Sequence, residues 1–160
     1  MTIEVGDQLP AVTLTKMTEH GPEKVDLAAY LAGKKVALFS VPGAFTPTCS
    51  AKHLPGFVEK AAALKAKGIQ EIIGTAVNDV FVLSAWGKAG NAESAVTMLA
   101  DGNGDFAKAV GLTMDGSKFG MGQRSQRYSM IVNDGVVEQL NVEAPGEYSA
   151  SSAETLLGQL

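Results

Sequence analysis

Cysteine occurs once in these 160 residues, at position 49, and histidine only twice, at 20 and 53. One cysteine excludes an intramolecular disulfide, so the chain is no secreted disulfide scaffold, and a reducing compartment such as the cytoplasm suits it. Two distant histidines, with no Cys or His cluster around either, do not make a metal site. No apolar run approaches the roughly 18 residues that would span a bilayer. The start, "MTIEVGDQLP", is neither basic nor apolar, so no signal peptide is expected. Basic residues are outnumbered, 13 against 17 acidic, and the net charge of −4 argues against nucleic acid or an anionic membrane as the main partner. Repeats, linkers and low-complexity tracts are lacking too. Residues 1–160 are therefore read as one domain, long enough to bury a core without staples.

What is present alternates. "KKVALFSV" (34–41) is apolar and β-branched nearly throughout, as in a strand covered on both faces. Residues 46–68 follow with Phe57, Ala61 and Leu64 on one helical face and Gly68 as a stop. A second buried strand, "QEIIGTAV" (70–77), precedes a helix in which Val82 and Trp86 share a face. "AVTMLAD" and "GDFAKAVGL" supply a third strand and a short helix. Residues 127–143 read as a hairpin turning at Asn133-Asp134-Gly135, and the tail opens with a Ser–Ser–Ala–Glu capping pattern into a last helix. The order β-α-β-α-β-α-β-β-α, after an N-terminal segment with room for an edge hairpin, predicts a mixed α/β sheet with helices on both faces. A thioredoxin-like fold satisfies it.

The single cysteine stands in "SVPGAFTPTCS" (40–50), at a strand-to-helix turn. Pro47 fits the first helical position, which makes Thr46 the N-cap and puts Cys49 in the first turn. There, unpaired N–H groups and the helix dipole favour a thiolate. Two plainer readings stand beside this one: the thiol as a small buried apolar group, and Thr46 as a cap whose hydroxyl is taken by the Cys49 N–H. Thiolate formation alone achieves little. A thiol of pKa about 8.5 is roughly 7% ionised near pH 7.4, and lowering its pKa to about 6 gains roughly 13-fold. A Brønsted slope of about 0.45 loses on the order of tenfold over the same shift. A fast thiol enzyme therefore needs donors aimed at the developing charge. A cation and a hydroxyl are required.

"PGAFTPTCS" resembles the peroxiredoxin signature Pro-x-x-x-Thr-x-x-Cys, carried by Pro42, Thr46 and Cys49. The longer "VPGAFTPTCSAKHLPGF" is similar to the type II, or peroxiredoxin-5-like, subfamily. The likeness continues through "VNDVFVLSAW", "LADGNGDFAKAVGL", "RSQRYSMIVNDGVV" and "LNVE". The resemblance implies that Cys49 attacks hydrogen peroxide or an organic hydroperoxide and becomes a sulfenic acid. Thr46 would orient the peroxide, and the Arg127 cation would stabilise both thiolate and leaving oxygen. Pro42 would shield the sulfur, with backbone N–H groups near Gly43 and Cys49 completing the donors. Neither metal nor prosthetic cofactor is implied. A non-covalent homodimer is, with the Phe45 and Trp86 regions as candidate surfaces. Arg124 is a second arginine that either supports the site or faces solvent.

The chain departs from many type II relatives in lacking a second, resolving cysteine: Gly74 and the serines of "EYSASSAETLL" stand in the corresponding regions. An outside thiol must then take the sulfenate. Among one-cysteine members that supply is usually glutathione with glutaredoxin, and thioredoxin is the runner-up. Two other functions compete. His53, at i+4 from Cys49, would give a Cys–His acyl-transfer enzyme, although Pro55 should disrupt the helix there. A thioredoxin-fold binding or chaperone-like module would carry the thiol incidentally.

Overall fold

The computed structural model describes residues 2–160, the side chain of Cys49 excepted. The buried run of the sequence forms the middle of a seven-stranded sheet. β3 (Lys35–Val41) pairs in parallel with β4 (Glu71–Ala76), and β4 in parallel with β5 (Thr97–Ala100). On the other side β3 meets β8 (Tyr128–Asn133) antiparallel, and β8 meets β9 (Val136–Val142). The room left at the N-terminus is taken by a hairpin of β1 (Thr13–Thr18) and β2 (Gly21–Asp26), which docks antiparallel on β5. The sheet order is thus β2-β1-β5-β4-β3-β8-β9. The mixed sheet expected from the element order is the one observed.

Alternation along β3 divides the core. Ala37, Phe39 and Val41 face one cluster, covered by α2 (Leu54–Ala66), α3 (Val80–Ala89) and α5 (Ala153–Gly158). Val36 and Leu38 face the other, covered by α1 (Leu27–Leu31) and α4 (Asp105–Val110). The Asp-Gly turn between β8 and β9 takes positive φ at both residues, 50° at Asp134 and 80° at Gly135, matching the strands' twist. Ser152 caps α5 by accepting from the Thr155 N–H. Not foreseen are α1 and the segment 113–125. That segment folds as a small antiparallel pair, β6 (Thr113–Asp115) with β7 (Gln123–Ser125), around a 3-10 turn. Three-residue strands show too little periodicity to be read in advance.

Gly74 lies opposite Phe39 in the β3–β4 register. A Cβ there would stand 3.0 Å from both Phe39 Cζ and Met98 Sδ. The Phe39 ring cannot retreat freely, because it stacks on Phe57 at 4.3 Å and lies 5.0 Å from the His53 ring. Gly74→Ala is therefore expected to cost about 1–3 kcal/mol through overpacking, read as a fall of several degrees in Tm. An unchanged melt would show that Phe39 and Met98 yield freely.

Candidate active site

The C-terminal end of β3 delivers the chain into residues 42–48, where several contacts shape the turn. Asn78, just past β4, accepts the Ala44 N–H at 2.9 Å. Phe45 takes φ of 65°, an unfavourable region for a side chain this large, and is 53% exposed. Gly43 sits at a close approach: a Cβ would meet Met121 Cε and Thr46 Cγ2 at 3.2 Å and Arg124 Nη1 at 3.4 Å. Thr46 donates its hydroxyl proton to the Gly43 carbonyl at 2.7 Å. That commits the proton and leaves the oxygen's lone pairs as the acceptor side of the group.

Pro47 and Thr48 open the helix as expected, and Cys49 falls in its first turn. The thiol itself lies outside the described residues. Cys49–His53 is a π-helical turn that passes into α2 at Leu54. The disruption expected at Pro55 thus takes the form of a widened turn. Proline has no N–H to donate to the carbonyl of Ala51, so the tighter α pattern loses a bond there.

The Cys–His pairing does not hold. His53 is fully buried, its Nδ1 is 2.9 Å from Arg127 Nη1, and its Nε2 is 3.0 Å from the Ser151 carbonyl. Arginine only donates, so Nδ1 is the acceptor and the ring proton sits on Nε2, donated to Ser151. Burial first, and the Arg127 cation second, push the imidazole down to about 3. Both nitrogens are committed and the ring stays neutral, so it offers the thiol no general base. The acyl-transfer reading is thereby corrected.

Arg127 precedes β8, and its carbonyl accepts the Glu143 N–H at 2.9 Å. Its side chain lines a cavity of about 370 Å³ together with Pro42, Thr48, Met114, Glu143 and Pro145. Arg127, Pro42 and Thr48, the neighbour of Cys49, therefore share one space. Arg124 does not reach it. Its Nε donates to the Met121 carbonyl and its Nη1 to that of Val77, so it ties residues 116–122 to the wall behind Gly43. Trp86 is core, 2% exposed, with its indole N–H donated to Ser50 Oγ at 3.0 Å.

Sequence reasoning missed the support around this space. The i+4 spacing of His53 signals a shared helix face but not which neighbour claims the ring. Tyr148 packs edge-on against that ring at 5.4 Å and donates to the Lys52 carbonyl. Glu143, 7% exposed, accepts from the N–H of Ser149, the N–H of Ser151 and the Ser151 hydroxyl, each at 2.7 Å. Burial opposes its charge, yet these bonds hold its carboxyl below the usual range. Among the described residues no group of three His, Cys, Asp or Glu is placed to hold a metal ion.

A sheet of this topology, bringing one cysteine to a helix start at the end of its central strand, defines a class: thioredoxin-fold enzymes that work through a thiol. Comparison with known proteins narrows it. Residues 4–157 match the family model described as Redoxin, and the chain belongs to that family. It is 46% identical to peroxiredoxin-2B of Arabidopsis thaliana, over 99% of this chain and 98% of that protein. It is 48% identical to the chloroplastic peroxiredoxin-2E-2 of Oryza sativa, over 99% of this chain and 73% of that one. Among solved structures, reduced Prx3 of Vibrio vulnificus in complex with hydrogen peroxide superposes with a TM-score of 0.95 at 52% identity, each chain 99% covered. The chain is a peroxiredoxin, a thiol peroxidase, and its one cysteine fits a one-cysteine form.

Proposed function

We propose that Cys49 is the peroxidatic residue and that Thr46, Arg127, Pro42 and Gly43 form its site. The observation that carries this is the Arg127 guanidinium, pinned by a buried neutral histidine at a cavity shared with Pro42 and Thr48. A cation so held needs little reorganisation as charge moves from sulfur to oxygen. The thiolate sulfur takes one peroxide oxygen, the O–O bond breaks, and the leaving alkoxide or hydroxide takes up a proton. The products are a sulfenic acid and an alcohol or water. Thr46 presents oxygen lone pairs to the peroxide O–H, because its own proton is committed to Gly43. The step balances as a two-electron oxidation of sulfur with no cofactor.

The sulfenic acid has no second cysteine to condense with. An external thiol attacks it, releasing water and leaving a mixed disulfide that a further thiol cleaves. Glutathione with glutaredoxin is the reductant we favour, and thioredoxin the next. The hydrogen peroxide complex of the Vibrio relative supports that substrate here. A homodimer is proposed with Phe45 in its contact, since an aromatic ring 53% exposed beside the site suits a partner surface. A reducing compartment, the cytoplasm first, suits the lone thiol.

Pre-reduced protein given one equivalent of hydrogen peroxide is expected to consume it rapidly and to gain the mass of one oxygen. Glutathione should then convert that species to a mixed disulfide. Protein alkylated beforehand at its thiol should do neither. Consumption no faster than that of a free thiol would overturn the reading.

A further inference from the structure

The His53 ring is one of the groups that hold the Arg127 guanidinium. Among the described residues, the other nitrogen of that ring meets the Ser151 carbonyl. Ser151 belongs to no helix or strand, is fully buried, and follows the exposed stretch 144–147. Backbone of this kind keeps a carbonyl aimed at one atom only when something fixes it. Here the fixing group is Glu143. One oxygen of its carboxylate, Oε2, gathers the Ser149 N–H, the Ser151 N–H and the Ser151 hydroxyl at 2.7 Å each. Those distances are short, as charge-assisted bonds are. Glu143 is in turn registered against the arginine, because its own N–H donates to the Arg127 carbonyl at 2.9 Å.

We infer that Glu143 is a positioning residue for the peroxidase reaction: its carboxylate fixes Ser151, Ser151 fixes the His53 tautomer, and His53 aims Arg127. This rests on the reading of Arg127 given above. The chain of contacts has a directional logic. If the Ser151 carbonyl withdrew from Nε2, the Nε2–H tautomer would keep only one of the two contacts that favour it, the donation from Arg127 Nη1 to Nδ1, and the other tautomer would gain population. A ring protonated on Nδ1 would then present a hydrogen to the Arg127 N–H, donor against donor. The guanidinium would turn away, although no group touching the peroxide had changed. Histidines that act by orienting another group are commonly held in one tautomer in this way by a carbonyl or carboxylate behind them.

The test compares wild type, Glu143→Gln, Arg127→Ala and the double variant, all shown to be folded by circular dichroism and thermal melting. Hydrogen peroxide is the substrate, and the rate constant is measured on pre-reduced protein by stopped flow. The second readout is the pair of ring nitrogen shifts of His53 by NMR, which reports the tautomer directly. Glu143→Gln keeps the shape but removes the charge. It is expected to slow peroxide reduction about tenfold, as loss of an outer-shell orienting group does, and to move the His53 signals from pure Nε2–H towards a mixture. In the Arg127→Ala background it should cause no further loss, because its effect runs through that arginine.

A rate within twofold of wild type would overturn the inference. So would an equal loss in both backgrounds, or a slower enzyme whose His53 signals have not moved; either would mark Glu143 as a general support of the fold. Should Glu143→Gln not fold, Ser151→Ala removes one of the three donors and leaves the carbonyl in place. It should show a smaller loss of the same kind, again absent without Arg127, and additivity there would overturn the inference. Failure of the underlying reading looks different: Arg127→Ala alone would then react as fast as wild type.

Discussion

Arg127→Ala is expected to slow hydrogen peroxide reduction by about 10²–10³-fold, the usual consequence of deleting one preorganised donor from the charge-bearing step. The arginine is held by a buried ring and lines the cavity it shares with Pro42 and Thr48. On the proposed reading its removal takes a fixed cation away from the charge that develops in the reaction. Lysine is not an equivalent replacement. It carries the charge on one ammonium and cannot bind the His53 Nδ1 while presenting further donors in a fixed plane to the substrate. Arg127→Lys should therefore recover only part of the rate. Stopped-flow consumption of hydrogen peroxide by the pre-reduced variants decides the matter, with thiolate absorbance followed in the same samples. A loss no larger than the fall in thiolate fraction would mean that Arg127 works through the thiol's acidity alone. A rate within threefold of wild type would remove the residue from the site. The same variant leaves His53 Nδ1 as a buried acceptor without this donor, so a stability loss of about 1–3 kcal/mol should accompany the kinetic one.

Mild acid is the second large effect. The His53 imidazole is held down to about 3 in the folded protein, by burial and then by Arg127, whereas its ordinary value is 6.5. Below 6.5 the unfolded chain takes up a proton that the folded chain refuses. The stability due to the neutral buried ring is thus fully present above that pH and is lost as pH falls towards 3. The slope is about 1.4 kcal/mol per pH unit once the unfolded ring is charged, so roughly 2 kcal/mol is gone by pH 5. Glu143, also lowered in the folded state, destabilises in the same direction but only further down, in the carboxylate range. Asp101, which is raised chiefly by burial, works in the opposite sense there. In the window from pH 7 to 5 the His53 contribution is read as the difference between the wild type and a His53 variant. Urea midpoints should fall across it in the wild type and stay nearly level in His53→Gln. An equal fall in both proteins would assign the loss to other groups.

Much of this molecule is legible in one dimension. Strand β3 announces itself by an apolar run, the β8–β9 hairpin by Asp134-Gly135, and the last helix by its serine cap. Each is a local rule, in which neighbouring residues determine backbone dihedrals and faces. The thiol's placement is local as well: Pro47 and Thr46 make a helix start, and Cys49 three residues on must fall in its first turn. Other parts are not legible because their causes lie elsewhere in the chain. The strands of 113–125 are too short to carry a period, and they form only because each pairs with the other. Arg124 and Arg127 look alike in the sequence, yet one secures a loop and the other lines the cavity, according to which carbonyls or ring the fold brings near.

His53 shows the division most clearly. From its spacing it is a neighbour of Cys49 on a helix, a candidate base. Packing buries it among Phe39, Phe57 and Tyr148, and Ser151 and Arg127 then claim its two nitrogens. Local sequence thus determined the fold class and the helix-borne cysteine, because these depend on patterns among residues a few positions apart. Tertiary structure alone decided which group aims the arginine and which carboxylate stands behind it. Hydrogen-bond partners drawn from 74 and 98 residues away leave no periodicity for the sequence to display.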